Sequence, residues 1–399
     1  MSQTGTLVLI MAIAAVAPLL AHAVGRWLPV PLVIFEIALG ILVGPDVLGW
    51  AGKGETVDTL AHLGLAMLIF LAGYEIEFDR VRGDTLRRSA AAWLIALAVG
   101  LGLATLISGF DRGVYLGTAL TSTALGTVLP LLRDAGRLRT RFGAVMMSFG
   151  ALGEFGPIIA ITLLLSGRSP GRSTIVLGVF ALLTALVVWW ATRPRSAWFT
   201  RVVETTLHTS GQFAVRLVVL LLALMLGLAE ELGLDTLLGA FAAGVITRLV
   251  LHGSAPRSAE WVMRKVEAMG FGFLVPVFYV VTGIEFDLAA LLSGGRPLLL
   301  LPVFLGLFLV VRGVPVHTLA PPDLDRDDRG ALTLFASTAL PLVVAITAIG
   351  TDAGTLPTSE AAALVGAAML SVLLFPLCAL RLRGTRPPQW QTSKEPETW

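Results

Sequence analysis

The chain has 399 residues, of which 56% are hydrophobic and only 14% charged, with a formal net charge of +2 and a mean hydropathy of +0.84. Soluble domains devote about a quarter of their residues to charge, so a water-soluble globular protein is excluded. The net charge by itself says nothing about nucleic acid, the basic residues cluster in short loops, and the single cysteine, Cys378, excludes a disulfide framework and a thiolate metal site.

The first 23 residues lack a basic leading region and read as a membrane span, not a cleaved signal. A span needs roughly 20 mostly apolar residues. Thirteen segments qualify: 6–24, 31–50, 59–75, 89–109, 114–132, 143–166, 173–192, 211–229, 236–250, 268–283, 298–319, 331–350 and 359–380. The expected fold is therefore an all-α polytopic membrane protein of about thirteen transmembrane helices. Lys and Arg accumulate in cytoplasmic loops. Arg80, Arg82, Arg87 and Arg88 share one loop, Arg133, Arg137, Arg139 and Arg141 another, and Arg381, Arg383, Arg386 and Lys394 the tail, whereas alternate loops are poor in bases. The bias places the N-terminus outside and the C-terminus in the cytoplasm, with a tail, 381–399, too short for a soluble regulatory domain.

Glu36 lies near the start of the second span, in "PLVIFEIALGILVGP". A buried structural hydrogen bond is its first reading and an ion-site role its second. "GYEIEFD" (73–79) closes the third span and "GIEFD" (283–287) the tenth; "STAL" occurs at 122–125 in the fifth span and at 337–340 in the twelfth. Each pair lies seven spans apart, so the copies cross in opposite directions, the signature of an inverted-topology repeat with substrate near the midplane between two broken helices. Pro130 deprives the Gly126 carbonyl of its helical partner, and Pro341 does the same for Ser337. Thr121, Ser122, Thr123, Ser337 and Thr338 add hydroxyl oxygens there, unless they bond back to their own helices.

Glu154 stands at the centre of the sixth span, in "MMSFGALGEFGPIIAI", where a carboxylate is expensive. Pro157 frees the Gly153 carbonyl, so two hard oxygens suited to an alkali cation or a proton lie side by side. A neutral glutamate hydrogen-bonded inside the bundle is the competing reading. Arg312, in the eleventh span, cannot lose its proton and needs an anion, with Glu154 the most central candidate; the alternative is a bond to backbone carbonyls. Glu75, Glu77 and Glu285 sit at helix ends and read as solvated, with Glu75 a secondary site candidate, and Arg216 and Arg248 read as snorkelling. Five scattered histidines, and no phosphate loop, triad or nucleotide motif, give no sign of an enzyme or a cofactor.

"PLVIFEIALGILVGPDVLGW", "LAMLIFLAGYEIEFD", "TSTALGTVLPLL", "LGAFAAGVI" and "FLVPVFYVVTGIEFDL", taken in order, resemble successive signatures of the monovalent cation:proton antiporter family that includes the Kef-type potassium efflux systems and the Nap-type sodium/proton antiporters. The resemblance implies a homodimer in the cell membrane, with a role in pH homeostasis. It implies a scaffold of spans one to three (1–75) and eight to ten (211–283), a transport domain of spans four to six (89–166) and eleven to thirteen (298–380), and a linker span (173–192). It also puts Glu154 at the family's ion-binding aspartate, Gly153 where relatives carry Asn or Asp, and Arg312 where others carry lysine. The implied activity is Na+/H+ exchange, favoured over K+/H+, with Glu154 binding cation and proton in turn. Without a second titratable group beside it, exchange is expected to be electroneutral. An organic-anion symporter using Arg312, and a non-transporting sensor or channel subunit, are the competing classes.

Overall fold

A computed structural model of the chain describes residues 3–25, 30–52, 54–76, 83–138, 140–164, 170–191, 212–254, 256–292 and 295–382. Glu77, the bases at 80, 82 and 139, and the tail from 383 lie outside them. The helices are α1 (Gln3–Gly25), α2 (Leu32–Val43), α3 (Glu55–Glu75), α4 (Asp84–Ser108), α5 (Phe110–Leu120), α6 (Leu125–Asp134), α7 (Arg141–Leu164), α8 (Pro170–Ala191), α9 (Phe213–Glu231) and α10 (Thr236–Ser254). They continue with α11 (Pro256–Met269), the π-helical turn π1 (Gly270–Leu274), α12 (Val275–Glu285), α13 (Leu288–Leu292), α14 (Gly295–Leu307), π2 (Phe308–Gly313), α15 (Val314–Leu319), α16 (Arg326–Ala336), α17 (Pro341–Asp352) and α18 (Thr358–Leu382).

Nine helices among the described residues are long and apolar enough to cross a membrane, and three shorter ones are apolar. The pair α5 and α6 supplies one more crossing, so the architecture follows the thirteen segments. Large apolar side chains face outward along these helices because the solvent there is lipid: Leu106, Leu299 and Leu19 are each more than two-thirds exposed.

Two boundaries differ from the sequence reading. The tenth span begins about twelve residues earlier, at Pro256, because α11 is amphipathic: Val262, Met263 and Val266 are buried, whereas Glu260 and Arg264 face outward. The fifth span breaks at Thr121–Ala124 instead of around Pro130, and α6 runs on through Pro130. The cause is tertiary. The N–H of Thr123 donates to the Gly153 carbonyl (2.9 Å) and that of Ala124 to the Thr338 carbonyl (2.6 Å), which removes both donors from the helical ladder. The twelfth span breaks where expected, with Pro341 as first residue of α17, a position whose N–H needs no helical partner.

The helices form two packing groups. In one, α2 packs on α1 and α12, α3 on α10 and α12, and α9 on α10; in the other, α4 packs on α5, α7 and α15, α17 on α5, and α18 on α14 and α16. The repeat is visible in the backbone. Helix α3 ends at Glu75 with Ile76 at φ −67°, ψ 108°, and α12 ends at the equivalent Glu285 with Phe286 at φ −63°, ψ 117°. The two breaks open alike, Thr121 at φ −88°, ψ −6° and Ser337 at φ −86°, ψ −3°.

Candidate functional site: the crossing of two broken helices

The breaks of the fifth and twelfth spans meet beside the middle of α7. Thr123 is the hub. Its N–H holds Gly153, its Oγ1 donates to the Ala336 carbonyl (2.6 Å), and the same oxygen accepts from Arg312 Nε (3.0 Å). One threonine thus ties α7, the end of α16 and π2 to the break between α5 and α6. On the far side of the crossing, Ser371 of α18 accepts from the Ala339 N–H (3.0 Å) and donates to backbone carbonyls.

The carbonyl freed by Pro157 is therefore taken: Gly153 O accepts from Thr123 and does not stand open beside Glu154. The other hydroxyls bond back to their own helices. Thr121 donates to Thr118 O (2.7 Å), Ser122 to Ala119 O (2.8 Å), Ser337 to Thr333 O (2.8 Å) and Thr338 to Leu334 O (3.1 Å). A hydroxyl whose hydrogen is committed this way still presents lone pairs, so these oxygens act toward the crossing as acceptors only. All five hydroxyl residues are at most 1% exposed.

Glu154 is 2% exposed. The backbone N–H of Leu125, first residue of α6, is the donor set against its carboxyl group, and its Oε2 has no hydrogen-bond partner. The positive end of a half-helix thus faces the carboxylate. Glu75, half-buried at the end of α3, lies within its electrostatic reach.

Arg312 is fully buried on π2. A π-helical turn inserts an extra residue and redirects the side chains that follow, a feature that recurs at functional positions. Here it delivers the guanidinium into the crossing, where Nε donates to Thr123 Oγ1 and Nη2 to the Phe149 carbonyl (2.6 Å), while Nη1 has no partner. Arg312 forms no ion pair with Glu154, which corrects the expected direct pairing. The reason is steric and local: carbonyl and hydroxyl oxygens of the crossing come within reach of the guanidinium first. Gly153 belongs to the same arrangement, because a Cβ there would overlap both Thr123 Oγ1 and Arg312 Nη2.

Among the remaining sequence candidates, Glu36 is 3% exposed and its side chain bonds to no described residue, so the structural hydrogen bond expected for it is not formed there. Arg216 and Glu285 are exposed. Arg248 does not snorkel freely: Nη1 donates to the Tyr74 carbonyl (2.9 Å) and its guanidinium stacks over the Tyr74 ring. Sequence reading missed Phe149, whose contribution is a carbonyl, and Tyr279, 4% exposed on α12 and within the electrostatic reach of Glu36 and Glu154. No side-chain pattern marks a carbonyl donor site, but the tyrosine in an otherwise aliphatic stretch, "VPVFYVVTG", was visible.

An all-helical multi-pass membrane protein with inverted halves, crossed broken helices and a buried carboxylate at their meeting point is defined by these features. A family model, "Sodium/hydrogen exchanger, transmembrane", matches residues 11–380, and the chain belongs to that family. It is 28% identical over 270 residues to the Na(+)/H(+)-K(+) antiporter GerN of Bacillus cereus, covering 64% of this chain and 66% of GerN. It is 24% identical over 291 residues to a Na(+)/H(+) antiporter of Enterococcus hirae, covering 70% of this chain and 73% of that one. The Bacillus subtilis protein YjbQ is 26% identical over 413 residues, which take in 98% of this chain. The chain spans 65% of the length of YjbQ and 66% of that of GerN. Among solved structures, the sodium proton antiporter MjNhaP1 of Methanocaldococcus jannaschii superposes with a TM-score of 0.68 at 15% identity over 96% of this chain and 100% of the other, a likeness of fold.

Proposed function

We propose that the chain is a secondary-active monovalent cation/proton antiporter in which Glu154 binds cation and proton in turn. The observation that carries this is the state of Glu154: buried at the helix crossing, faced by the start of α6, with Oε2 free of any protein donor. A carboxylate held that way accepts either a proton or a bare cation, and not both. Competition for one group couples the two fluxes with no covalent step and no enzyme chemistry. The acceptor-only hydroxyls of Thr121, Ser122, Ser337 and Thr338 line the same crossing and supply hard oxygen to the cation.

The first packing group, α1–α3 with α9–α12, serves as the scaffold and the homodimer face. The second, α4–α7 with α14–α18, moves as a body and carries Glu154 across the cell membrane. Arg312 holds the moving crossing rigid by bonding Thr123 and Phe149. Its fixed charge, with glycine at 153, leaves one titrating group at the site, so exchange is one for one and electroneutral. Sodium is favoured over potassium, in line with the names of the relatives.

The test is proton movement in proteoliposomes loaded with a pH-sensitive dye, with Na+, K+, Li+ and Ca2+ added in turn. Dye recovery with Na+, less with K+ and none with Ca2+ is the expected result. Absence of any cation-dependent proton movement defeats the reading.

A further inference from the structure

A cavity of about 530 Å³ lies outside the crossing, between α7, α8 and α10. Helix α10 turns Leu238, Phe241, Ala242 and Val245 into it, the spacing of one helix face, and α8 presents the same spacing from Leu177 to Thr184. The third wall is α7, through residues from Ala151 to Ile159. The cavity is thus a slot that follows the helices for about 10–12 Å. Ile76, which follows α3, and Leu86, on the first turn of α4, line the end beside the basic loop. Helix α7 runs against α8 and α10, so Ile159, Leu177 and Leu238 mark the opposite end.

Thr184 is the only polar residue among the described lining, and its Oγ1 is covered and has no hydrogen-bond partner. Water held inside a protein needs about two to four polar partners. The slot offers none, so it suits hydrocarbon. Ala181 and Ala185 line it and are exposed, so among the described residues it is open along α8, where the surrounding medium is lipid. At the inner end Leu86 is followed by Arg87, which is exposed and whose guanidinium bonds to no described residue. A cation at the cytoplasmic surface attracts anionic headgroups.

The slot also lies on the boundary between the two packing groups. Phe155, next in sequence to Glu154, stacks on Phe241 with ring centroids 4.6 Å apart and planes at 18°. Both rings line the slot. Phe241 is fixed on the scaffold side, since a Cβ on Gly73 of α3 would overlap its carbonyl. Phe155 belongs to the body that carries Glu154. Travel of α7 past α10 parts the two rings and reshapes the slot.

We infer that one acyl chain of an anionic phospholipid from the cytoplasmic leaflet occupies this slot, with its headgroup beside Arg87, and that by packing on the Phe155–Phe241 stack it restrains the travel of α7. The occupancy stands on the cavity; the restraint rests on the antiport reading of Glu154.

The experiment places the full protein in nanodiscs of phosphatidylcholine and phosphatidylglycerol. The phosphatidylglycerol carries a photoreactive diazirine either near the head of one acyl chain or at its methyl end, and labelled residues are mapped by mass spectrometry. Phe241 and Ala242 are only 5% and 7% exposed, so lipid that merely coats the protein does not reach them. They should be labelled, with the head-end diazirine also marking Leu86 and the methyl-end one Leu177 and Leu238. Ala181→Phe puts a ring into the slot and should abolish labelling of Phe241 and Ala242; Ala185→Phe is a second filling variant if the first does not fold. Leu182→Phe, at an exposed position outside the lining, should leave labelling unchanged. Labelling confined to exposed residues, labelling that survives both filling variants, or crosslinks that join two copies of the protein across this face overturn the occupancy. Equal labelling by a diazirine on phosphatidylcholine overturns the headgroup assignment. In proteoliposomes Ala181→Phe, melting like the wild type, should lower the maximal sodium-driven proton flux several-fold while the KM for sodium changes by less than about twofold. Unchanged flux overturns the restraint. Absence of flux in the wild type overturns the antiport reading and the restraint with it, while the labelling still decides the occupancy.

Discussion

The guanidinium of Arg312 occupies the space that a side chain at position 153 would need. A Cβ on Gly153 would overlap Arg312 Nη2 and Thr123 Oγ1, the two groups that tie the crossing together. Arginine on π2 and glycine on α7 are thus one arrangement, and each is intelligible only with the other.

Gly153→Ala should therefore destabilise the folded protein by about 1–3 kcal/mol, the usual cost of forcing extra atoms into a close-packed site. Part of that cost should disappear when Arg312 is also truncated, because neighbouring substitutions that compete for one space do not add. Melting temperatures of the four proteins of a Gly153→Ala and Arg312→Ala cycle check this. Strict additivity would mean that the two residues do not share the space.

Arg312 should matter for stability through its neutral partners. Arg312→Ala leaves the Phe149 carbonyl without its side-chain donor and loosens Thr123, and losing a charged hydrogen-bond donor to neutral oxygens costs about 1.5–3 kcal/mol. Arg312→Lys should recover only part of the loss, because an ammonium cannot reach both oxygens in the fork geometry. Thermal melting in detergent decides the point: an alanine variant as stable as the wild type would leave the bonds to Thr123 and Phe149 without structural weight.

Much of this was legible in the chain. The related strings "GYEIEFD" and "GIEFD" and the repeated "STAL" marked the equivalent helix ends and breaks, and the carboxylate in "GALGEFGP" marked the site. Periodicity and proline chemistry are local, so they show where a helix is weakened. They do not show who takes the freed groups. The Gly153 carbonyl was visible as a free acceptor, but its partner, the Thr123 N–H, comes from 30 residues away in sequence. The same limit explains Arg312: its charge was plain, whereas its preference for a threonine and a carbonyl over Glu154 depends on the π-helical turn beneath it.

The Arg141–Asp323 pair joins the start of α7 to the turn before α16 at 2.8 Å, and the guanidinium holds the Asp323 carboxyl below the usual carboxylate range. A carboxyl lowered in the folded state contributes stability above its unfolded pKa and loses it as pH falls through the folded value. Both side chains are half exposed, so the contribution should stay below about 1 kcal/mol. Arg141→Ala should melt slightly lower than the wild type at pH 7, with the gap closing in acid as the pH falls below the usual carboxylate range. A gap that persists unchanged in acid would assign the effect to packing.

Electroneutrality is the corollary of the proposed cycle. If Glu154 alone carries one cation one way and one proton the other, the net charge moved over a cycle is zero, whereas a net unit charge would couple transport to voltage by about 2.3 kcal/mol per 100 mV. The measurement is the sodium gradient that balances a fixed pH gradient in proteoliposomes clamped at different potentials with potassium and valinomycin. The balance point should not move with voltage; a shift would require a second charge in the cycle.

Glu154→Gln tests the central claim most directly. Glutamine keeps the shape of the side chain and the approach of the Leu125 N–H, but it neither ionises nor carries a proton. Purified Glu154→Gln, monodisperse and melting within a few degrees of the wild type, should show no sodium-driven proton movement in proteoliposomes across the whole working pH range, while Glu154→Asp retains a reduced rate. Wild-type turnover in the glutamine variant would contradict the account, because the cation and proton would then exchange without the carboxylate on which their competition depends.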